Sequence, residues 1–285
     1  MKKFIQKLGA FLLSVCLLTF TANAQIQTPQ ASPGATISQT VGLGKVTVEY
    51  SRPALKGRKM FGVQVPYGKV WRTGANKITN VILSDEMMVN GQKVAAGTYG
   101  LFTIPTATEW TIILNKDADL WGAYDYKQEN DVVRFTVKAQ NLAKAQESFT
   151  IEFIDFNANE TNVAISWENA MVKFPIKHDS DAKIMAEIQK KMAGSEISVG
   201  TYSAAANYYY DTNRDLKQAY EWATKVVEND QKFWTYYLRG KIAAKIGQCD
   251  VAVADATKGL AMAKEAGDDA YILNHQNVLK ECKGK

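Results

Sequence analysis

Apolar side chains recur at every second position from about Thr36 to Ile176. Val46, Val48 and Tyr50 alternate with Lys45, Thr47 and Glu49, and Tyr99, Leu101 and Thr103 alternate with Gly100 and Phe102. Trp110, Ile112 and Leu114 alternate with Thr111 and Ile113, and Val133, Phe135 and Val137 with Arg134, Thr136 and Lys138. Phe149, Ile151 and Phe153 alternate with Thr150 and Glu152, and Val172, Phe174 and Ile176 close the series. A period of two turns one side of each segment to a core and the other to water. Asn90-Gly91, between Met88-Val89 and Gln92-Val94, is a two-residue hairpin signal. About ten short strands without helices between them predict an all-β antiparallel sandwich or jelly roll.

Beyond Lys177 the period lengthens. Ile184, Met185, Ile188 and Met192 form a helical stripe that Asp179-Ser180-Asp181 can cap and Gly194 can end. Five further helices are expected at roughly 200–211, 215–229, 232–246, 249–266 and 269–282. Ala219 in DLKQAYEWATKVVEND aligns with Ala252 in DVAVADATKGLAMAKE, 33 residues later. Gly240 and Gly247 fall where a helix-turn-helix repeat wants a small residue and a turn glycine. The segment resembles about two and a half tetratricopeptide repeats, which implies an all-α domain of stacked helical hairpins. A plain bundle of helical hairpins is the alternative.

The first residues follow neither pattern. Lys2, Lys3 and Lys7 precede an apolar run from Phe11 to Phe20, and Ala22-Asn23-Ala24 is a small-x-small pattern before Gln25. This reads as a signal peptide over residues 1–24, because the apolar run is about half the roughly 20 residues a membrane span needs. Val15 before Cys16 and the apolar chain after it argue against lipidation. The expectation is an exported protein, periplasmic or extracellular, with no transmembrane segment in the mature chain. Residues 25–34 (QIQTPQASPG) read as a linker, 35–177 as the β domain and 178–285 as the helical domain.

Charge changes the picture in one place. The chain has 34 Lys and Arg against 29 Asp and Glu, a net +5. Without Lys2, Lys3 and Lys7 the remainder is 31 against 29, or +2, which argues against a nucleic-acid binder. Ser51 to Lys77 nevertheless holds Arg52, Lys56, Arg58, Lys59, Lys69, Arg72 and Lys77 and no acid. Guanidinium forks match carboxylates and phosphates with paired hydrogen bonds, and Trp71 or Tyr67 could stack on a sugar ring. The candidate site for an anionic small molecule or glycan is therefore Arg52, Arg58, Trp71, Arg72 and Asn76. The alternative is that these arginines pin the loop to its own sheet, neutralised by the acidic stretch Glu109 to Asp131, which holds six acids against Lys116 and Lys127.

Several motifs of this region occur in a distinctive order: Tyr50-Ser51-Arg52-Pro53, Lys56-Gly57-Arg58, Phe61-Gly62, Val65-Pro66-Tyr67-Gly68, Trp71-Arg72-Thr73-Gly74-Ala75-Asn76, Gly97-x-Tyr99, Ile104-Pro105 and a late Ser166-Trp167-Glu168. Together they resemble the bacterial domain-of-unknown-function family 2911 over about residues 32–176. The resemblance implies an exported β-rich domain and supplies no activity, catalytic residue or ligand.

Other chemistry is thinly represented. Between Gln25 and Lys177 there is no histidine or cysteine, which excludes a Ser-His-Asp triad, a Cys-His dyad and a histidine-ligated zinc there. His178 reads as a linker residue and His275 as a helix-face residue. Asn115-x-Asp117-x-Asp119 resembles the start of a calcium loop, but Leu120 and Tyr126 stand where the turn glycine and last glutamate belong. Asp85-Glu86, or Glu109 with Asp117, could be invoked for a carboxylate-based glycoside hydrolase. Cys249 and Cys282 share the 33-residue repeat offset and would come together in stacked hairpins as a disulfide. No cofactor or metal is expected. The reading is a non-catalytic envelope binding module, with a ligand at the basic loop and a protein partner on the helical repeats; the alternative is a structural or assembly scaffold.

Overall fold

The computed structural model describes residues 28–283. The leader expected over 1–24, with Cys16, lies outside them. The chain forms two compact units, one ending at Asp179 and the other beginning at Ser180.

Among the described residues the first unit has ten strands: β1 (Gly34–Val41), β2 (Gly44–Ser51), β3 (Thr79–Leu83), β4 (Met87–Val89), β5 (Gln92–Val94), β6 (Gly97–Pro105), β7 (Glu109–Asn115), β8 (Asp131–Lys138), β9 (Gln140–Ile154) and β10 (Glu160–Lys177). One sheet has the order β1-β2-β3-β6-β7-β8 and the other β5-β4-β10-β9. All these pairings are antiparallel. The alternating residues meet in one core. Val46, Val48, Val81, Leu101, Ile112 and Leu114 from the first sheet pack with Phe149, Ile151, Ile165 and Phe174 from the second. This is the two-layer antiparallel architecture that period two demands. Asn90 and Gly91 take φ of 47° and 79°, as a two-residue turn between β4 and β5 requires.

Two features depart from a series of short strands. β9 and β10 run for 15 and 18 residues. β10 pairs with β9 along Asn162–Met171, with register shifts at Ser166/Glu168 and Glu168/Ala170, and with β4 at Ile176 and Lys177. The second departure lies on β6 and β7, where Phe102 and Ile113 are buried on the face away from the main core. Ile78, Val70, Leu120 and Tyr126 cover them. Two loops therefore fold over one face of the six-stranded sheet, and they carry the candidate site.

The second unit has six helices: α1 (Asp181–Met192), α2 (Val199–Asp211), α3 (Leu216–Asn229), α4 (Phe233–Lys245), α5 (Cys249–Ala266) and α6 (Asp269–Cys282). Ser198, Asp215 and Asp268 cap α2, α3 and α6 by accepting from backbone N–H groups of the first turn. Ser180 makes no such bond at α1. The carboxylate of Asp181 instead accepts from Tyr208 and Arg214, which ties α1 to α2 and the turn after it. Ala219, Ala223, Ala252 and Ala256 are fully buried small residues that let neighbouring helices approach closely. Arg239 Nε and Nη2 donate to Asp255 Oδ2 and Oδ1 at 2.7 Å each, a two-bond clamp of α4 on α5. Cys249 at the start of α5 is joined to Cys282 at the end of α6, with Cα atoms 5.4 Å apart.

His178 departs from the sequence reading, and His275 lies on a helix as expected. His178 is buried in the β unit and meets Asp85, at 3.1 Å, because the chain stays in the sheet through Lys177. His275 is a buried packing residue between helices.

Candidate functional site

The basic loop leaves β2 at Ser51 and is fastened at once. Phe149 N–H donates to Pro53 O at 2.8 Å and Leu55 N–H to Glu147 O at 2.9 Å, so residues 53–55 run beside β9. Arg52 donates to Phe149 O at 3.2 Å and to Thr150 Oγ1 at 2.9 Å. Arg58 turns back on its own segment, donating to Leu55 O at 2.9 Å and Ala54 O at 2.7 Å. Glu168 Oε2 accepts from Met60 N–H and Phe61 N–H at 3.3 and 3.1 Å, so the bulge in β10 aims a carboxylate at loop backbone.

The run Trp71–Asn76 is a knot at the far end of this loop. Trp71 exchanges backbone bonds with Thr103, extending the pairing on β6 beyond the end of β3. Its ring is 9% exposed and packs among Phe61, Trp110, Phe149 and Trp167, stacked on the last at 5.9 Å. Thr73 Oγ1 donates to Thr103 Oγ1 at 3.1 Å, and Thr79 Oγ1 to Thr73 O at 2.6 Å. Gly74 takes φ of 150°, and a Cβ there would lie 3.1 Å from Thr79 Oγ1 and 3.2 Å from Ser51 O. Asn76, at φ of 58°, donates through Nδ2 to Gln30 Oε1, Ser32 O and Ser51 Oγ at 2.8, 3.1 and 3.3 Å.

Arg72 is the exception. Its guanidinium makes no hydrogen bond or ion pair among the described residues, and its Nε is buried without a partner. A buried donor left in that state costs about 1–3 kcal/mol. The residue lines two openings of about 260 Å³ each. Gln64, Lys69 and Tyr124 line the first; Ser32, Arg58 and Gln64 line the second. Neither lining contains a carboxylate. Of the five residues singled out from sequence, Arg72, Arg58 and Trp71 line one opening, Trp71 mainly as a core residue, whereas Arg52 and Asn76 bond to the fold. Tyr67, the other candidate stacking ring, lies over Gly62, where a Cβ would meet its Cε2 at 2.9 Å.

The acidic stretch is mostly satisfied within itself. Asp131 accepts from Asn115, Tyr126 and Arg134. Burial and the adjacent Asp131 carboxylate push the Tyr126 hydroxyl up to about 12. Asn115 Oδ1 accepts from Asp117 N–H, Asp117 Oδ2 from Asn130 Nδ2, and Asp119 pairs with Lys77. The oxygens of the calcium-like triplet are thus directed to three separate partners. Among the described residues, no group of three or more His, Cys, Asp or Glu side chains could hold a metal ion. Lys77–Asp119 is the ion pair by which this stretch meets the basic loop, and it holds the Asp119 carboxyl below its ordinary range. Asp85 faces His178 and Glu86 faces Lys93.

The sequence reading missed Tyr124 and Trp121. Both belong to the loop between β7 and β8, with side chains 90% and 69% exposed. Their segment is anchored by Ile78 N–H donating to Leu120 O at 3.0 Å and by a bridge between Lys77 and Trp121. Gly122, at φ of 91°, makes the turn between them; a Cβ there would meet Tyr124 Cε2 at 2.9 Å and Arg72 Nη1 at 3.9 Å. The available signal was Trp-Gly-Ala-Tyr, two aromatics around a turn glycine in an otherwise polar loop.

No curated protein and no solved structure matches the chain. Residues 32–176 match the family described as "Protein of unknown function (DUF2911)". This span takes in both sheets from the outset of β1 nearly to the end of β10, with the basic loop between them, and the chain belongs to the DUF2911 family.

Proposed function

We propose that the β unit is a non-catalytic binding module for a small anionic ligand, held by Arg72 at the acid-free openings beside it. One observation carries this reading: among the described residues the Arg72 guanidinium is partly buried yet has no acceptor, while Arg52, Arg58 and Asn76 have theirs. A carboxylate or phosphate would supply the missing acceptors in a two-bond geometry. The test is a thermal-shift screen of the full chain against acidic sugars, phosphorylated metabolites and envelope glycans, run in parallel on Arg72→Met. A ligand that raises the melting temperature of the wild type and not of Arg72→Met supports the site. If no anion shifts the wild type, the reading fails.

A scaffold role is the second reading, favoured by the pinning of Arg52, Arg58 and Asn76. Under it, Arg72→Met has no ligand to lose.

Export belongs to the same proposal. It rests on the pattern of residues 1–24, and the Cys249–Cys282 bond is compatible with an oxidising compartment. A protein recovered from the periplasm or medium with its amino terminus at Gln25 supports it; one retained in the cytoplasm at full mass overturns it. The helical unit is proposed as the part that contacts another protein, on the strength of exposed Trp234 and Leu273. Crosslinking in cells that traps no neighbour on α4 or α6 would end that part.

A further inference from the structure

We infer that the ligand of the Arg72 site is a sugar carrying a carboxylate, its ring lying on Tyr124 and its acid group in the Arg72 fork. The inference rests on the anion-site reading and adds a second contact to it. Tyr124 and Arg72 line the same opening, and both approach the place a Cβ on Gly122 would take. The ring is nine-tenths exposed, although its loop is anchored to the 77–78 segment through backbone bonds and the Lys77–Asp119 pair. An exposed aromatic ring on an anchored backbone is a stacking platform whose loop is already ordered, so that only the side chain has to settle on binding.

A bare phosphate would leave that platform unused. A pyranose has an apolar C–H face for the ring and hydroxyls for polar side chains at the rim, here Gln64 and Lys69. A uronic acid adds one planar carboxylate, which matches one planar guanidinium. The opening, about 260 Å³, lies just below the usual range of ligand pockets, which limits it to a small unit such as a monosaccharide. Trp121 lies three residues before Tyr124 in the same exposed turn and would meet a second unit if the ligand is a chain.

The experiment is titration calorimetry on the full chain with D-galacturonate, polygalacturonate, D-galactose and sodium phosphate, on the wild type, Tyr124→Ala and Arg72→Met. The expected result is that galacturonate binds the wild type. Tyr124→Ala weakens it about tenfold, the value of one aromatic contact. Arg72→Met weakens it by about 10- to 100-fold, the range for a charged hydrogen-bonding group. Galactose should bind no better than to Arg72→Met. Polygalacturonate binding more tightly per site than the monomer identifies a glycan as the source; equal binding identifies the free acid. If phosphate binds as well as galacturonate and Tyr124→Ala is silent, the sugar inference is overturned while the anion site stands. If no anion binds and Arg72→Met changes nothing, both fall. Melting curves of the two variants check that neither has unfolded.

Discussion

Arg72 and His275 show how the same deficit, a buried nitrogen without a partner, has different consequences in different surroundings. At Arg72 the side chain lines two openings. Replacing it by Met removes an unpaired donor and keeps most of the aliphatic stem. Arg72→Met should therefore melt at or slightly above the wild-type temperature without ligand, whereas a guanidinium acting as a structural pin would lower it by several degrees. At His275 the imidazole is enclosed. Nε2–H donates to Phe233 O at 3.0 Å, Nδ1 is buried without a partner, and a Cβ on Gly259 would lie 2.1 Å from the ring. Gly259→Ala should cost about 3 kcal/mol in urea unfolding followed by helical circular dichroism, the upper range for overpacking a core. Adding His275→Ala to it should recover part of the loss. Arg72 was legible in the sequence only as one of several cations, because the partners that satisfy the others lie far away in the chain. Arg52 bonds to Phe149 and Thr150, almost a hundred residues on, and no local spacing reveals that.

Among the elements, local patterning carried most of the information. Period two marked β2, β6, β7, β8 and parts of β9 and β10, Asn90-Gly91 marked the β4–β5 turn, and β3 was not marked; the helical stripes marked all six helices to within a residue or two, because caps and turn glycines are local chemistry. The length of β10 and its bulges were not legible, since they depend on which strands it joins. Helix-to-helix clamps were equally hidden. Arg239 and Asp255 stand 16 residues apart on different helices, with Asp255 almost fully buried. Removing one charge from such a pair strands the other, so Asp255→Ala should destabilise the helical unit by about 3–5 kcal/mol. The double variant Arg239→Met with Asp255→Leu should recover most of that loss in the same unfolding measurement. Equal losses in single and double variants would show that packing, not charge, is at stake.

For the molecule as a whole, two conditions should act on the helical unit. Burial lowers the His275 pKa, opposed by its bond to Phe233 O and the charge of Asp255. The unfolded chain therefore takes up a proton first as pH falls below about 6.5, the ordinary histidine value. Stability should be level above that pH and fall below it, down to the lower pKa of the folded state. Urea midpoints between pH 7.5 and 5 test this, and His275→Gln should flatten the acid side. Reduction of the Cys249–Cys282 bond, which spans 33 residues, should cost the same unit about 4 kcal/mol by loop entropy. Unfolding with and without reductant, with a free-thiol count, measures it; two free thiols in the native protein would contradict the bond.

The order of strands and helices, the change of architecture near Lys177 and the concentration of cations in one connection were all present in the sequence, because each is a matter of neighbours along the chain. Tertiary structure decided the rest. It spent Arg52, Arg58 and Asn76 on backbone and side-chain acceptors, closed an aromatic cluster around Trp71, and brought Tyr124 from a distant loop beside Arg72. Hydrogen-bond saturation is settled by what folding places within 3 Å of a donor, and for these groups that depends on contacts between segments remote in the sequence.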